Sequence, residues 1–195
     1  MPEAKVKSEN KIAFKEWAVV VNALAQGKQI LILRKGGIHE DSGEFKIEHD
    51  EFFLFPTYEH QNPSDLKPAS HPDLAALMRT KPEPDEFPIR YYAKVIGIAH
   101  FDAENSLKQL APYHLWSDEA INKRFVYGKQ KGLYVIAVRV FILPIPHLIT
   151  VTPEYAGCKS WVSLDRGLST EGAAPVLSED QFSEEWNKIH HFFKQ

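Results

Sequence analysis

The stretch Leu133–Leu143, LYVIAVRVFIL, is the most strand-like run in the chain. Its valines and isoleucines fit a pleated, half-buried surface. Pro144 and Pro146 are expected to end it, because proline has no N–H to give to a ladder. This run and Ile30–Leu33 have strand length. No stretch approaches the roughly 18 apolar residues that span a bilayer. The chain must therefore be built around a sheet in water. At 195 residues, one domain is the simplest organisation. With 44% hydrophobic and 25% charged residues, a core can form. The net charge of −3 means that a nucleic-acid ligand needs a local basic surface. Cys158 is the only cysteine. It permits neither an intramolecular disulfide nor a cysteine-rich zinc site and fits a reducing compartment. The polar start, MPEAKVKSENK, lacks the apolar run of a signal peptide, so the expected location is the cytoplasm.

Residues 1–11 read as a loose N-terminus, 12–164 as a single domain, 165–177 as a linker and 178–195 as a docked C-terminal helix. Phe14, Trp17, Ala18, Val21, Leu24 and Ala25 recur at helical spacing, with Gly27 at C′. Strands are expected at 29–34, 44–48, 51–55, 89–101, 133–143, 147–151 and 160–164, with Gly97 as a bulge. Short helices are expected at 73–79 and 117–125, the latter capped by Ser117. Phe182, Trp186, Ile189 and Phe193 mark the terminal helix. The long proline-rich segment 56–88 is expected to be functional or mobile. The order lacks regular βαβ alternation. It predicts an α+β fold with a curved, mostly antiparallel sheet or small β-barrel and peripheral helices.

Three polar patches carry the candidate chemistry. Arg34 and Lys35 precede Gly36 and Gly37 at a strand end. Glycines allow close approach of a ligand, and Arg can grip a phosphate bidentately. Thr57, Tyr58, Glu59, His60 and Gln61 form the densest set of hydrogen-bonding side chains. Lys159 and Trp161 offer a charge and a ring from a third patch, where Cys158 beside Lys159 is also a conceivable nucleophile. A metal could draw on His39, His49, His60, His71 and His100, but no HExxH spacing occurs. No cofactor is expected. Under a nuclease reading, Asp41, Glu44 and Lys46 would act with Mg²⁺, with Glu16 on the preceding helix.

The segments AFKEWAVVVNALAQGKQILILRKGGI, FLFPTYEHQ and YAGCKSWVSL resemble the signature blocks of a bacterial family known only as a domain of unknown function. More distantly, Gly27-Lys28-Gln29-Ile30-Leu31-Ile32-Leu33-Arg34 after a helix resembles the G-K-K-x-x-E-x-R opening of ASCH domains in the PUA-like superfamily. Leu31 stands where the acidic residue of that pattern falls. The later half is also similar, with a helix at 116–125 and a strand ending in Pro-Ile-Pro. This resemblance implies a small β-barrel that binds RNA or modified nucleosides; a few such domains are amidohydrolases.

The reading that follows is a nucleic-acid module, RNA before DNA, or a nucleotide-binding module. Arg34, Lys35 and Gly36 would face Thr57, Tyr58, Glu59, His60 and Gln61, with Lys159 and Trp161 at the edge. If the chain is an enzyme, a nuclease or a small nucleoside-processing hydrolase is expected. A protein-interaction module using segment 56–88 and the C-terminal helix is the third reading. No membrane partner is expected.

Overall fold

A computed structural model describes residues 5–35, 48–128, 131–157 and 159–193. It contains strands β1 (Glu9–Trp17), β2 (Leu31–Arg34), β3 (Glu51–Thr57), β4 (Phe87–Phe101), β5 (Leu133–Ile149), β6 (Trp161–Ser169) and β7 (Ala174–Pro175). The helices are α1 (Ala18–Ala25), α2 (His71–Arg79), α3 (Glu104–Gln109), α4 (Asp118–Val126) and α5 (Glu179–Ile189). The fold is α+β. Its sheet runs β2-β5-β4-β3-β1-β6, with β7 added on β5. The pairing is antiparallel except between β1 and β3. Among the described residues this path is open, with no ladder between β2 and β6 to close a barrel. Its curl brings Arg34 of β2 against Lys15 of β1, although three strands separate β2 from β1.

Several sequence expectations are corrected. Residues 9–17 form a strand, and the first helix begins only at Ala18. Phe14 and Trp17 match helical spacing, but residues 9–17 are hydrogen-bonded to β6 on one side and β3 on the other. Two-sided pairing overrides a local pattern. Residues 9–11 therefore belong to the sheet rather than to a loose terminus. Pro144 and Pro146 do not end β5. They fall between Ile142 and His147, where the register with β4 shifts and ladder donors are not demanded. Residues 147–149 thus continue β5. Residues 165–169 extend β6, and 174–175 form β7, so most of the expected linker is sheet. The expected strand at 44–48 lies almost wholly outside the described residues.

Other local signals hold. Gly27 has φ +65°, the left-handed geometry of a C′ glycine. The register shifts at Gly97. The Ser117 hydroxyl accepts from Ala120 N at 3.2 Å and caps α4. Ser178 and Gln181 form a reciprocal capping box at α5.

Alternation along the strands places Phe52 and Leu54 in one core cluster and Phe53 and Phe55 in another. The first cluster also takes Val19–Val21 and Leu24 of α1, Ile121 and Phe125 of α4, and Phe182 and Ile189 of α5. Arg139, buried on β5, meets Glu179 at the start of α5 with N···O distances of 2.8 and 2.5 Å. The acid at the helix N-terminus is favoured by the helix dipole as well. The C-terminal helix is thus part of the core. Phe182→Ala is expected to cost about 3–5 kcal/mol in urea unfolding.

His114 is 5% exposed, and burial holds its imidazole neutral, with its pKa lowered to about 4 from 6.5. The unfolded chain then binds the extra proton between those values, so stability is lost as pH falls from about 6.5 toward 4. The expected loss is at most roughly 3 kcal/mol. Comparing urea midpoints of wild type and His114→Gln across pH 4–7 should show this component only in wild type.

Candidate functional site

Because β1 and β3 run parallel, their carboxyl ends reach the same edge. Glu16 pairs with Pro56 and Trp17 with Thr57 in register. β6 begins beside them: Lys15 N donates to Ser160 O at 2.9 Å, and Phe14 pairs with Trp161. These ends surround a cleft of about 370 Å³. Its walls include Lys15, Glu16, Trp17, Arg34, Thr57, Glu59, His60 and Lys159. The three sequence patches are thereby brought together through Arg34, Thr57, Glu59, His60 and Lys159.

Several wall residues are held by their neighbours. Glu16 is 2% exposed, and its carboxylate lies 3.5 Å from the Arg34 guanidinium. Arg34 also donates to Lys15 O and sits 4.4 Å from the centre of the Phe14 ring. Arg124 of α4 stacks on Trp116 at 3.6 Å and reaches Trp17 at 5.3 Å. Burial lowers the Arg124 pKa, while the charge of Glu16 raises it. Arg124 nevertheless stays charged, because an isolated guanidinium titrates so high. The Thr57 hydroxyl donates to Glu16 O at 3.2 Å. Lys15 Nζ donates to Tyr155 O at 2.8 Å and to Gly157 O at 2.7 Å, fixing the 155–157 segment to β1. Lys159 is exposed. His60 adopts φ +59°, which turns the chain immediately after β3 and sets its ring on the cleft wall.

Other candidates are placed elsewhere. Lys35 Nζ donates to Phe125 O at 3.2 Å and Gly132 O at 3.0 Å, at the C-terminal end of α4, rather than lining the cleft. Gln61 Oε1 accepts from Val19 N at 3.2 Å, and its amide donates to Thr57 O at 3.0 Å. It therefore caps α1, whose N-cap residue Trp17 makes no side-chain cap of its own. Trp161 packs edge-on against Phe14 and Phe52 at 4.7 and 5.2 Å, in the wall behind the cleft. Tyr58 lines a neighbouring recess, and burial raises its phenol pKa. Gly36, Asp41, Glu44, Lys46 and Cys158 lie outside the described residues. Glu16 lies on β1, not on a helix as the nuclease reading supposed. Among the described residues no group of three His, Cys, Asp or Glu side chains is placed to hold a metal.

Lys15 and Trp17 were missed as wall residues, while Ser160, a candidate contact of the third patch, does line the cleft. Strand periodicity is not visible there, because each alternate set mixes apolar and charged side chains: Ile12, Phe14 and Glu16 on one side, Ala13, Lys15 and Trp17 on the other.

The family described as Domain of unknown function (DUF1802) matches residues 13–188. The chain belongs to this family. The three segments that resembled a family of unknown function fall within that match or at its border. No curated protein matches the sequence. Among solved structures, the chain is similar to ASCH from Zymomonas mobilis, at 12% identity over 94% of this chain and 96% of that one, with a TM-score of 0.46. It is also similar to a serine-to-alanine mutant of ASCH from Zymomonas mobilis, at 9% identity, 92% and 96% coverage, and a TM-score of 0.42. Likenesses this remote carry nothing about chemistry. What the cleft can do follows from its own side chains.

Removing Arg34 leaves a buried carboxylate with its main counter-charge gone. Arg34→Ala is expected to cost about 3 kcal/mol in chemical unfolding, and Glu16→Leu combined with Arg34→Leu distinctly less. Equal losses from both variants would show that the charge pair does not set the cost.

Proposed function

We propose that the cleft binds phosphate, as a nucleotide or in RNA. The observation that carries this reading is convergence. Lys15, Arg34 and Lys159 come from three separate strand ends onto one cleft, in a chain whose net charge is −3. Arg124 stands behind it, while Glu16 and Glu59 are the acidic wall residues. The local balance is positive. Guanidinium and ammonium groups suit phosphate oxygens, and the guanidinium adds planar, directional donors. Trp17 and His60 give ring surfaces beside those charges. That pairing of cation and ring suits nucleotides and single-stranded RNA. Lys15 and Arg34 are set on strands β1 and β2.

Lys159 is the cleanest position to test, because it is exposed and its loss removes little packing. Fluorescence anisotropy with a short single-stranded RNA should show binding that weakens with added salt. Lys159→Glu is expected to reduce affinity about tenfold and to flatten the slope of log K against log salt by about one. No binding of RNA or of mononucleotides at low salt would end this reading.

A further inference from the structure

A recess opens directly beside the cleft and shares Lys15, Thr57, Glu59 and Gly157 with it. Its character is different. Phe55 and Phe87 stack at 5.0 Å with their planes 15° apart, and Tyr58 stands edge-on to Phe87 at 6.3 Å. Pro56, Pro82 and Pro84 complete much of the lining. Its volume is about 200 Å³. That is the room of about six or seven waters at ~30 Å³ each, enough for one flat ring system.

We infer that this recess seats a single unpaired nucleobase while the adjoining cleft holds the attached phosphate. The inference rests on the cleft's reading as a phosphate site and adds the part of the ligand that the cleft does not explain. The two hollows adjoin across four shared residues, and one is rich in cations while the other is mostly apolar, with Lys81 at its wall. A molecule that matches both is flat and apolar at one end and anionic at the other. The half-buried Tyr58 and the proline faces give the recess a flat apolar lining, which favours a planar heterocycle over a flexible acyl chain. A base inside a duplex is already stacked and cannot enter such a recess without leaving its partner. The ligand class is therefore a nucleotide with its base exposed, either free or at an unpaired position of a strand.

Ala156 lines the recess, is itself exposed and does not belong to either core cluster. Ala156→Phe fills the recess without removing a buried side chain. Titration calorimetry would compare adenosine and guanosine monophosphates with ribose 5-phosphate, inorganic pyrophosphate and hexyl phosphate. Single-stranded and duplex RNA would be compared by anisotropy. The nucleotides are expected to bind about tenfold or more tightly than ribose 5-phosphate. Ala156→Phe should erase that advantage and leave pyrophosphate binding unchanged, with circular dichroism confirming the fold. Single-stranded RNA tighter than the mononucleotides would assign the ligand to a strand, and the reverse to a free nucleotide; either supports the inference.

Three results would overturn it: nucleotides no tighter than ribose 5-phosphate, hexyl phosphate as tight as nucleotides, or duplex RNA as tight as single strands. An unchanged nucleotide affinity in Ala156→Phe would do the same. If pyrophosphate binds but nucleotides gain nothing, only the base recess fails. If no phosphate compound binds, the phosphate reading of the cleft fails with it.

Discussion

The contact between Glu16 and Arg34 is the constraint on which the site depends. A carboxylate 2% exposed has lost its water, and that loss is offset by the Trp17 N–H, which donates to Oε1 at 2.7 Å, and by close positive partners. Arg34 meets this need from the far side of the sheet path, at 3.5 Å. It also donates to the backbone of β1 and covers the face of Phe14. The sheet must curl far enough for β2 to reach β1, and any flatter sheet would strand the carboxylate. Buried ion pairs are weak sources of net stability, but they penalise alternatives strongly. Here the penalised alternative is a sheet with its two ends apart.

The parallel pairing of β1 and β3 explains why a cleft forms at that point. In a hairpin the two strands end at opposite edges. In this pair both strands end together, so the turn after β3 and the start of α1 face each other. Gln61 ties the two by capping α1 from the β3 turn. Lys15 ties the third wall by holding the carbonyls of Tyr155 and Gly157. The cleft is thus framed by strand ends, with short segments pinned to them.

Much of this architecture is local and was legible in the sequence. The Val- and Ile-rich core of β5, the Gly97 bulge, the Ser117 cap and the amphipathic terminal helix all rest on nearest-neighbour signals. What was not legible depends on distant partners. Phe14 and Trp17 fit a helix until β3 and β6 pair on both sides of β1. Pro144 and Pro146 look like terminators until the bulge removes the demand for their donors. Likewise, residue type marked Arg34, Thr57, Glu59, His60 and Lys159, which do share one cleft. Residue type could not show direction. Lys35, Gln61 and Trp161 carry similar chemistry but are engaged at a helix end, a cap and an aromatic cluster.

The Lys15 contacts have a consequence for how the chain matures during synthesis. Lys15 and Gly157 are separated by 142 positions, so one wall of the cleft emerges from the ribosome long after the other. β1 cannot complete its ladder with β6 until residues 161–169 have been made. Pairings this distant in sequence form late, because loop closure must come first. A truncated or stalled chain therefore lacks a finished cleft, whatever helices it has already formed. Ligand binding in the cleft would report completion of the whole sheet, and by mass action it would favour that completed state over partly assembled ones.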